Sequence, residues 1–367
     1  MTDTPHYDIA VIGAGAAGLS AAYFLASHAS VVVLEREAQP AYHSSGRSAA
    51  MYIAGYENAV VQALTLAGHN FFFDPPTGFS DVPLVIPTGG LTIAGPGEQA
   101  DLNGYLDTWG GSCPDLAPIS IEACIERVPI LRPDWVSAAA FDPSWHKIDV
   151  HALLQGYQRG LRAAGGTVRC GFDVTQLTYA QDRWQIHTHD ASVTANTVVN
   201  ASGAWANQIA ALAGLAPMPL TPLRRTAAIV PAPDNCLTWP LVHTVSGSLY
   251  FKPESPGLMI SPQDETPTDP MDAQPLELDV AVAVDRFQQI TDHPVERVMH
   301  AWAGLRTFAV DRYPVIGPDP VHPSFFWLAG QGGFGIQTSP AAGRLAADSL
   351  LQGRQPEPAL SSMRFSA

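Results

Sequence analysis

Tyr7-Asp8-Ile9-Ala10-Val11-Ile12 runs into Gly13-Ala14-Gly15-Ala16-Ala17-Gly18, then an apolar helical pattern to about Leu25, then Val31-Val32-Val33-Leu34 ending on Glu35. The order is strand, G-x-G-x-x-G turn, helix, strand, acid. Each part serves a dinucleotide. Gly13 permits the tight turn, Gly15 lets the backbone approach a pyrophosphate, and Gly18 lets helix and strand pack closely. The helix N-terminus offers free N–H groups and positive dipole to the anion. Glu35 stands where a carboxylate accepts bonds from ribose hydroxyls. The six-residue turn alone is a weak signal. The flanking strands and the acid at the right distance make it a strong one.

Working outward, the chain of 367 residues is long enough for two lobes, and 46% hydrophobic content supports a sizeable core. Net charge is −15 with 19 Lys+Arg and no basic run, which argues against nucleic acid and anionic membrane surfaces. The only lysines, Lys147 and Lys252, make Schiff-base chemistry a poor candidate. Cys113, Cys124, Cys170 and Cys236 form no C-x-x-C pair, so neither a zinc site nor a dithiol motif is signalled. No metal is expected, and scattered cysteines fit a reducing cytoplasm. Residues 9–26 are apolar, but acids precede them and glycines interrupt them, so they read as buried strand and helix.

Further along, a helical pattern covers about 58–73. Segment 74–147 is dense in proline and glycine and reads as short strands and loops. Val150–Ala164 reads as a helix. Strands are expected at 168–170, 174–179, 184–188 and 193–201, then a helix to about Gly214. Residues 216–307 are again proline-rich and strand-like, with a helical interruption near 281–291. A last strand, Phe325–Ala329, leads through a turn to a helix at about 338–351, with Pro340 in its first turn. The last dozen residues read as loose. The expected architecture is an α/β fold of two interleaved lobes. Segments 1–75, 148–215 and 308–367 form a discontinuous Rossmann-like nucleotide-binding domain. Segments 76–147 and 216–307 form a substrate domain on a mixed or antiparallel sheet.

That last turn, Gly330-Gln331-Gly332-Gly333-Phe334-Gly335, is a second G-x-G-x-x-G, but no strand with a terminal acid follows it. It is read as serving the far end of the same dinucleotide. A reduced flavin gains negative charge at its N1–C2=O edge, and a helix N-terminus there stabilises it. FAD, bound non-covalently, is therefore the expected cofactor.

The opening unit, the Gly46-Arg47-Ser48 loop, Asn200–Trp205, Trp302-Ala303-Gly304-Leu305-Arg306-Thr307-Phe308 and Gly330–Gln337 together resemble the FAD-dependent D-amino acid oxidase family. The likeness runs over nearly the whole chain and is clearest in Val31–Ala50 and Gln331–Ser339. It is greatest to the bacterial D-arginine dehydrogenase branch. The resemblance implies oxidative deamination of a D-amino acid, with hydride passing from Cα to flavin N5 and the imino acid then hydrolysed. It assigns FAD contacts to Gly13, Gly15, Ala16, Ala17, Gly18, Glu35, Arg36, His43, Ser44, Arg47, Ser48, Ala50, Val174, Ala201, Gly203 and Gly304. At the C-terminal turn it adds Arg306, Gly330, Gly332, Gly333, Gly335, Ile336 and Gln337. Arg225, Tyr250 and Arg306 would hold the substrate carboxylate, Tyr56 would cover it, and Gly333 and Gln337 would lie beside flavin and substrate. Leu241 and His243 would line the side-chain pocket.

Two departures bear on the substrate. Gly90 stands where a guanidinium-reading acid is expected, and Met51 and Ile53 replace a polar His and Thr. An unpaired guanidinium buried there would be costly, so neutral apolar or aromatic side chains are expected. Read alone, Arg306 could instead pair with Asp311, and of Arg224 and Arg225 only one can face inward. Oxidation of secondary amines such as sarcosine, glycine or D-proline is the alternative reaction. A non-catalytic FAD-binding subunit is the alternative of another class. The electron acceptor, oxygen or a quinone, is open.

Overall fold

The computed structural model describes residues 4–366. Its first sheet is built on the opening unit. His6–Ile12 lies between Val31–Leu34 and Ser192–Asn200, parallel to both, and Thr167–Arg169 extends the sheet beyond Val31–Leu34. The apolar runs of these central strands are buried on both faces, as a covered parallel sheet requires. Ser192–Asn200 is shared along its length. Its first half pairs with the hairpin strand Arg183–His187, and its last residues pair in parallel with Phe325–Ala329. The chain thus returns to its first sheet at its end. Helices Ala16–Leu25, Val150–Ala163 and Gly335–Gln352 cover one face through Leu19, Leu25, Leu153, Tyr157 and Ala346. Helix Ala206–Leu212 packs on the other.

The second sheet is mostly antiparallel. Leu220–Val230 pairs along its length with His300–Ala309, and the sheet continues through Gly257–Ser261, Tyr250–Glu254, Leu241–Thr244, Gly90–Ala94 and Ala138–Asp142. Leu241–Thr244 and Gly90–Ala94 form its parallel pair. Helix Glu277–Ile290 covers one face with Ala283 and Phe287. The opposite face, carrying Arg225, Ala227, Tyr250 and Met259, looks toward the glycine turns of the first sheet.

Three sequence expectations are corrected. Segment 74–147 holds two helices, Gln99–Trp109 and Ile121–Arg127. The first carries Gly104 at its centre and buries only Leu102, so it shows little apolar periodicity. The second starts at Ser120, whose side chain accepts from the Ala123 N–H. The C-terminal helix begins at Gly335, which puts Pro340 in its second turn. The Ile336 carbonyl, left without its usual N–H by Pro340, accepts from the Ser339 hydroxyl at 2.9 Å instead. The tail is anchored rather than loose. Leu360 and Ser362 are buried, and Arg364 donates to Asp311 at 2.7 Å.

Candidate active site

The first glycine turn is held from below. Gly13 has φ +105°, and a Cβ there would lie 2.5 Å from the Ala201 carbonyl oxygen. A Cβ at Gly18 would lie 1.9 Å from the Gly13 carbonyl oxygen. Gly18 reaches no cavity and acts by letting the helix close on the turn. Glu35 is buried, and its two carboxylate oxygens accept from the Ala14 N–H at 2.8 Å and the Glu37 N–H at 3.0 Å. It therefore shapes the turn while facing a cavity of about 280 Å³ with Gly13, Arg36, His43 and Val174. Trp205 closes that cavity, its ring centroid 4.6 Å from that of His43 with the two planes tilted by 46°, and with the Arg36 guanidinium 5.1 Å over its ring. Only the Asn200–Trp205 motif hinted at this tryptophan.

A second cavity, of about 150 Å³, continues from Gly15, Ala16 and Ala17 past Ala201 and Gly203 to the other glycine turn. Ser44, Ser48, Gly304, Gly330, Gly332, Gly333, Gly335 and Ile336 line it, with Arg225, Tyr250 and Arg306 on the sheet side. The 43–50 loop forming its wall is tied in place. Ser45 accepts from the Ala16 N–H at 3.0 Å, and Ser44 donates to the Leu305 carbonyl. Arg47 lines the cavity with its stem while its guanidinium donates to Asp272 and to the Ala273 and Ala303 carbonyls. Ala50 falls outside this cavity and faces the next one.

That third cavity, about 100 Å³, shares Tyr250, Arg306 and Gly333 with the second. Met51, Ile53, Tyr56, Leu241 and His243 line it, together with Tyr105, Trp145 and Phe334, which the sequence did not single out. Gln337 borders it, but its amide is engaged elsewhere. It accepts from the Ile53 N–H at 3.0 Å and donates to Thr65 Oγ1 at 3.0 Å, fixing the wall. Gly90 reaches no cavity, because the Trp145 indole lies on it. The far end is uncharged at neutral pH. Burial pushes His243 down to about 4 and Tyr105 up to about 12.

The two arginines differ. Arg225 is buried, donates to the Asp264 carbonyl at 2.7 Å and pairs with Glu265 at 3.1 Å. Burial and the neighbouring Arg306 lower its pKa. Glu265 also pairs with Arg312, which holds Glu57 beside Tyr56. Arg224 points to the opposite face, 3.3 Å from Asp279. Arg306 forms no carboxylate ion pair among the described residues, and Asp311 is engaged by Arg364. Burial works against the Arg306 charge, but Tyr56, Tyr250 and Glu265 raise its pKa. Its guanidinium lies against Gly333, where a Cβ would come within 2.7 Å of Nη1.

The sequence profile of the FAD dependent oxidoreductase family (DAO) matches residues 8–349. The chain belongs to this family. The "FAD-dependent oxidoreductase domain-containing protein 1" of Bos taurus is 25% identical, over all of this chain and 86% of its own length. The mitochondrial dimethylglycine dehydrogenase of Rattus norvegicus is 25% identical over 94% of this chain, which spans 43% of that longer protein. The crystal structure of glycine oxidase from Geobacillus kaustophilus superposes with a TM-score of 0.83 over 96% of each chain, at 22% identity. The cofactor is FAD, as the family dictates. The cradle fits it: a glycine turn at a helix N-terminus, a buried acid, and two linked cavities ending at a second helix N-terminus.

Proposed function

We propose that this flavoenzyme oxidises the carbon–nitrogen bond of a D-amino acid with a neutral, apolar or aromatic side chain. The observation carrying the proposal is Arg306. A cation without a carboxylate partner, flanked by Tyr56 and Tyr250 where the cofactor cavity meets a mostly apolar pocket, calls for the carboxylate of a ligand. Arg306 would clamp it with two parallel bonds and so fix Cα, with the phenols donating to the same group. Arg225, already neutralised by Glu265, would support this arrangement rather than bind a second acid. Bound FAD supplies the two-electron acceptor. The residues of the chain orient the substrate, and no side-chain base is required if the amine binds neutral. The pocket walls contain no acid to balance a guanidinium, so arginine is disfavoured. The D-configuration rests on the motif likeness.

The small pocket favours one second reading, oxidation of N-substituted glycines, in keeping with the name of the dimethylglycine dehydrogenase relative. Anaerobic mixing of the FAD-loaded protein with D- and L-amino acids, glycine, sarcosine and dimethylglycine decides between them. Bleaching of the flavin by D-alanine through D-phenylalanine is expected. Bleaching by N-methylated glycines alone selects the second reading, and none at all removes both. Admission of air afterwards shows whether oxygen accepts the electrons.

A further inference from the structure

The side-chain cavity is built on one face of the second sheet. Alternation along each strand puts Tyr250, then Leu241 and His243, then Gly90 and Thr92, then Asp142 on that face, with Gly90 opposite Leu241 on one side and Asp142 on the other. Any side chain at position 90 would project into the cavity. Position 90 has none, and Trp145 fills the space. A Cβ at Gly90 would lie 2.1 Å from two atoms of the Trp145 indole.

Trp145 is held there at three points. The turn after Ala138–Asp142 folds back over the sheet, so the indole Nε1–H donates to Asp142 Oδ2 at 3.1 Å. The other oxygen of Asp142 accepts from the Ser144 N–H at 2.9 Å, which closes the turn. The Trp145 carbonyl accepts from the Gly89 N–H at 2.9 Å. The indole also stacks on His243 at 5.4 Å, and His243 is fixed by a 2.8 Å hydrogen bond with Thr92. Trp145 is 3% exposed, yet it lines the cavity at the end not shared with the cofactor.

We propose that Trp145, admitted by Gly90 and pinned by Asp142, is the specificity-determining residue that ends the side-chain pocket and limits the length of the substrate side chain. The proposal deepens the carboxylate-anchored reading above and rests on it. Gly90 and Trp145 act as one unit: the absence of a side chain at one position makes room for the largest side chain at the other. The wall so formed is flat, aromatic and rigid, and it excludes long side chains sterically.

Binding rather than turnover tests this. The FAD-loaded protein is titrated with unbranched saturated carboxylates from acetate to octanoate, read by perturbation of the flavin visible spectrum. In the wild type, affinity should rise about fourfold per methylene until the chain meets Trp145, and then stop rising. In Trp145→Ala the rise should continue for at least two more carbons, so that the octanoate-to-acetate affinity ratio increases tenfold or more. Trp145→Phe, a milder change, should extend the limit by about one carbon. Gly90→Ala should shorten it, because the new Cβ drives the indole into the cavity. The proposal is overturned by an unchanged length profile in the Trp145 variants, or by an equal loss at every length including acetate. A wild-type protein that binds no carboxylate and is bleached by no amine overturns the reading of the site itself, and this proposal with it. Binding with an unmoved length limit removes only the role of Trp145.

Discussion

The cofactor half and the substrate half meet at Arg306 but are built on different principles. The cofactor half holds its ligand with backbone. Gly15 at one helix start and Gly330, Gly333 and Gly335 at the other line the cavity with backbone, and the decisive side chain, Glu35, gives one oxygen to the Ala14 N–H of the turn and the other to the Glu37 N–H. The proposed substrate half is instead lined by side chains on a sheet face: Arg306, Tyr250, His243, and Trp145 folded over Gly90. Backbone cradles leave few solutions, whereas a sheet face can be refitted one side chain at a time. That difference lets one cofactor site serve many amines.

The comparison can be broken most sharply at the junction. Arg306→Met should lower kcat/KM for the preferred amino acid by about 10² to 10³-fold, the cost of leaving a buried carboxylate without its partner. FAD content should be unchanged, and a matching loss of FAD would show that Arg306 serves the cofactor half instead. Gly18→Ala comes next. Its Cβ collides with backbone at 1.9 Å, so a destabilisation of about 3 kcal/mol and poor FAD retention are expected, measured by thermal melting and flavin stoichiometry.

On the substrate side, His243 offers a pH test. Its pKa is about 4 when folded and 6.5 when free, so between those values the unfolded chain binds more protons. Stability should therefore be highest above pH 6.5 and fall as pH drops toward 4. The loss is on the order of 2 kcal/mol, reduced from the full shift because part of the ring faces the cavity. Melting curves of His243→Gln should lack this slope. The smallest effect is expected from Glu35→Gln. It keeps one acceptor but turns an amide donor toward either the Ala14 or the Glu37 N–H, weakening FAD affinity about tenfold, as equilibrium dialysis would show.

The parts legible in the sequence are those governed by neighbours in the chain. The G-x-G-x-x-G turn, its strands and Glu35 lie within thirty residues, and each glycine answers a local backbone demand. The strand Phe325–Ala329 and the helix Val150–Ala163 were likewise plain from apolar runs and stop signals. Helix Gln99–Trp109 was not, since it buries little and carries a glycine at its centre.

The sequence by itself determined a dinucleotide fold closed by its own C-terminus, the FAD cofactor, and the absence of an acid at Gly90. It could not assign the charges or the shape of the pocket. Only the tertiary structure decided that Arg225 is neutralised by Glu265 while Arg306 has no carboxylate ion pair among the described residues, that Gln337 braces Ile53, and that the space at Gly90 is filled by Trp145. The physical reason is range. Local dihedral and capping preferences act between neighbours and leave a pattern in the sequence. Ion pairing and side-chain packing join residues brought together only by the register of distant strands, which no local pattern records.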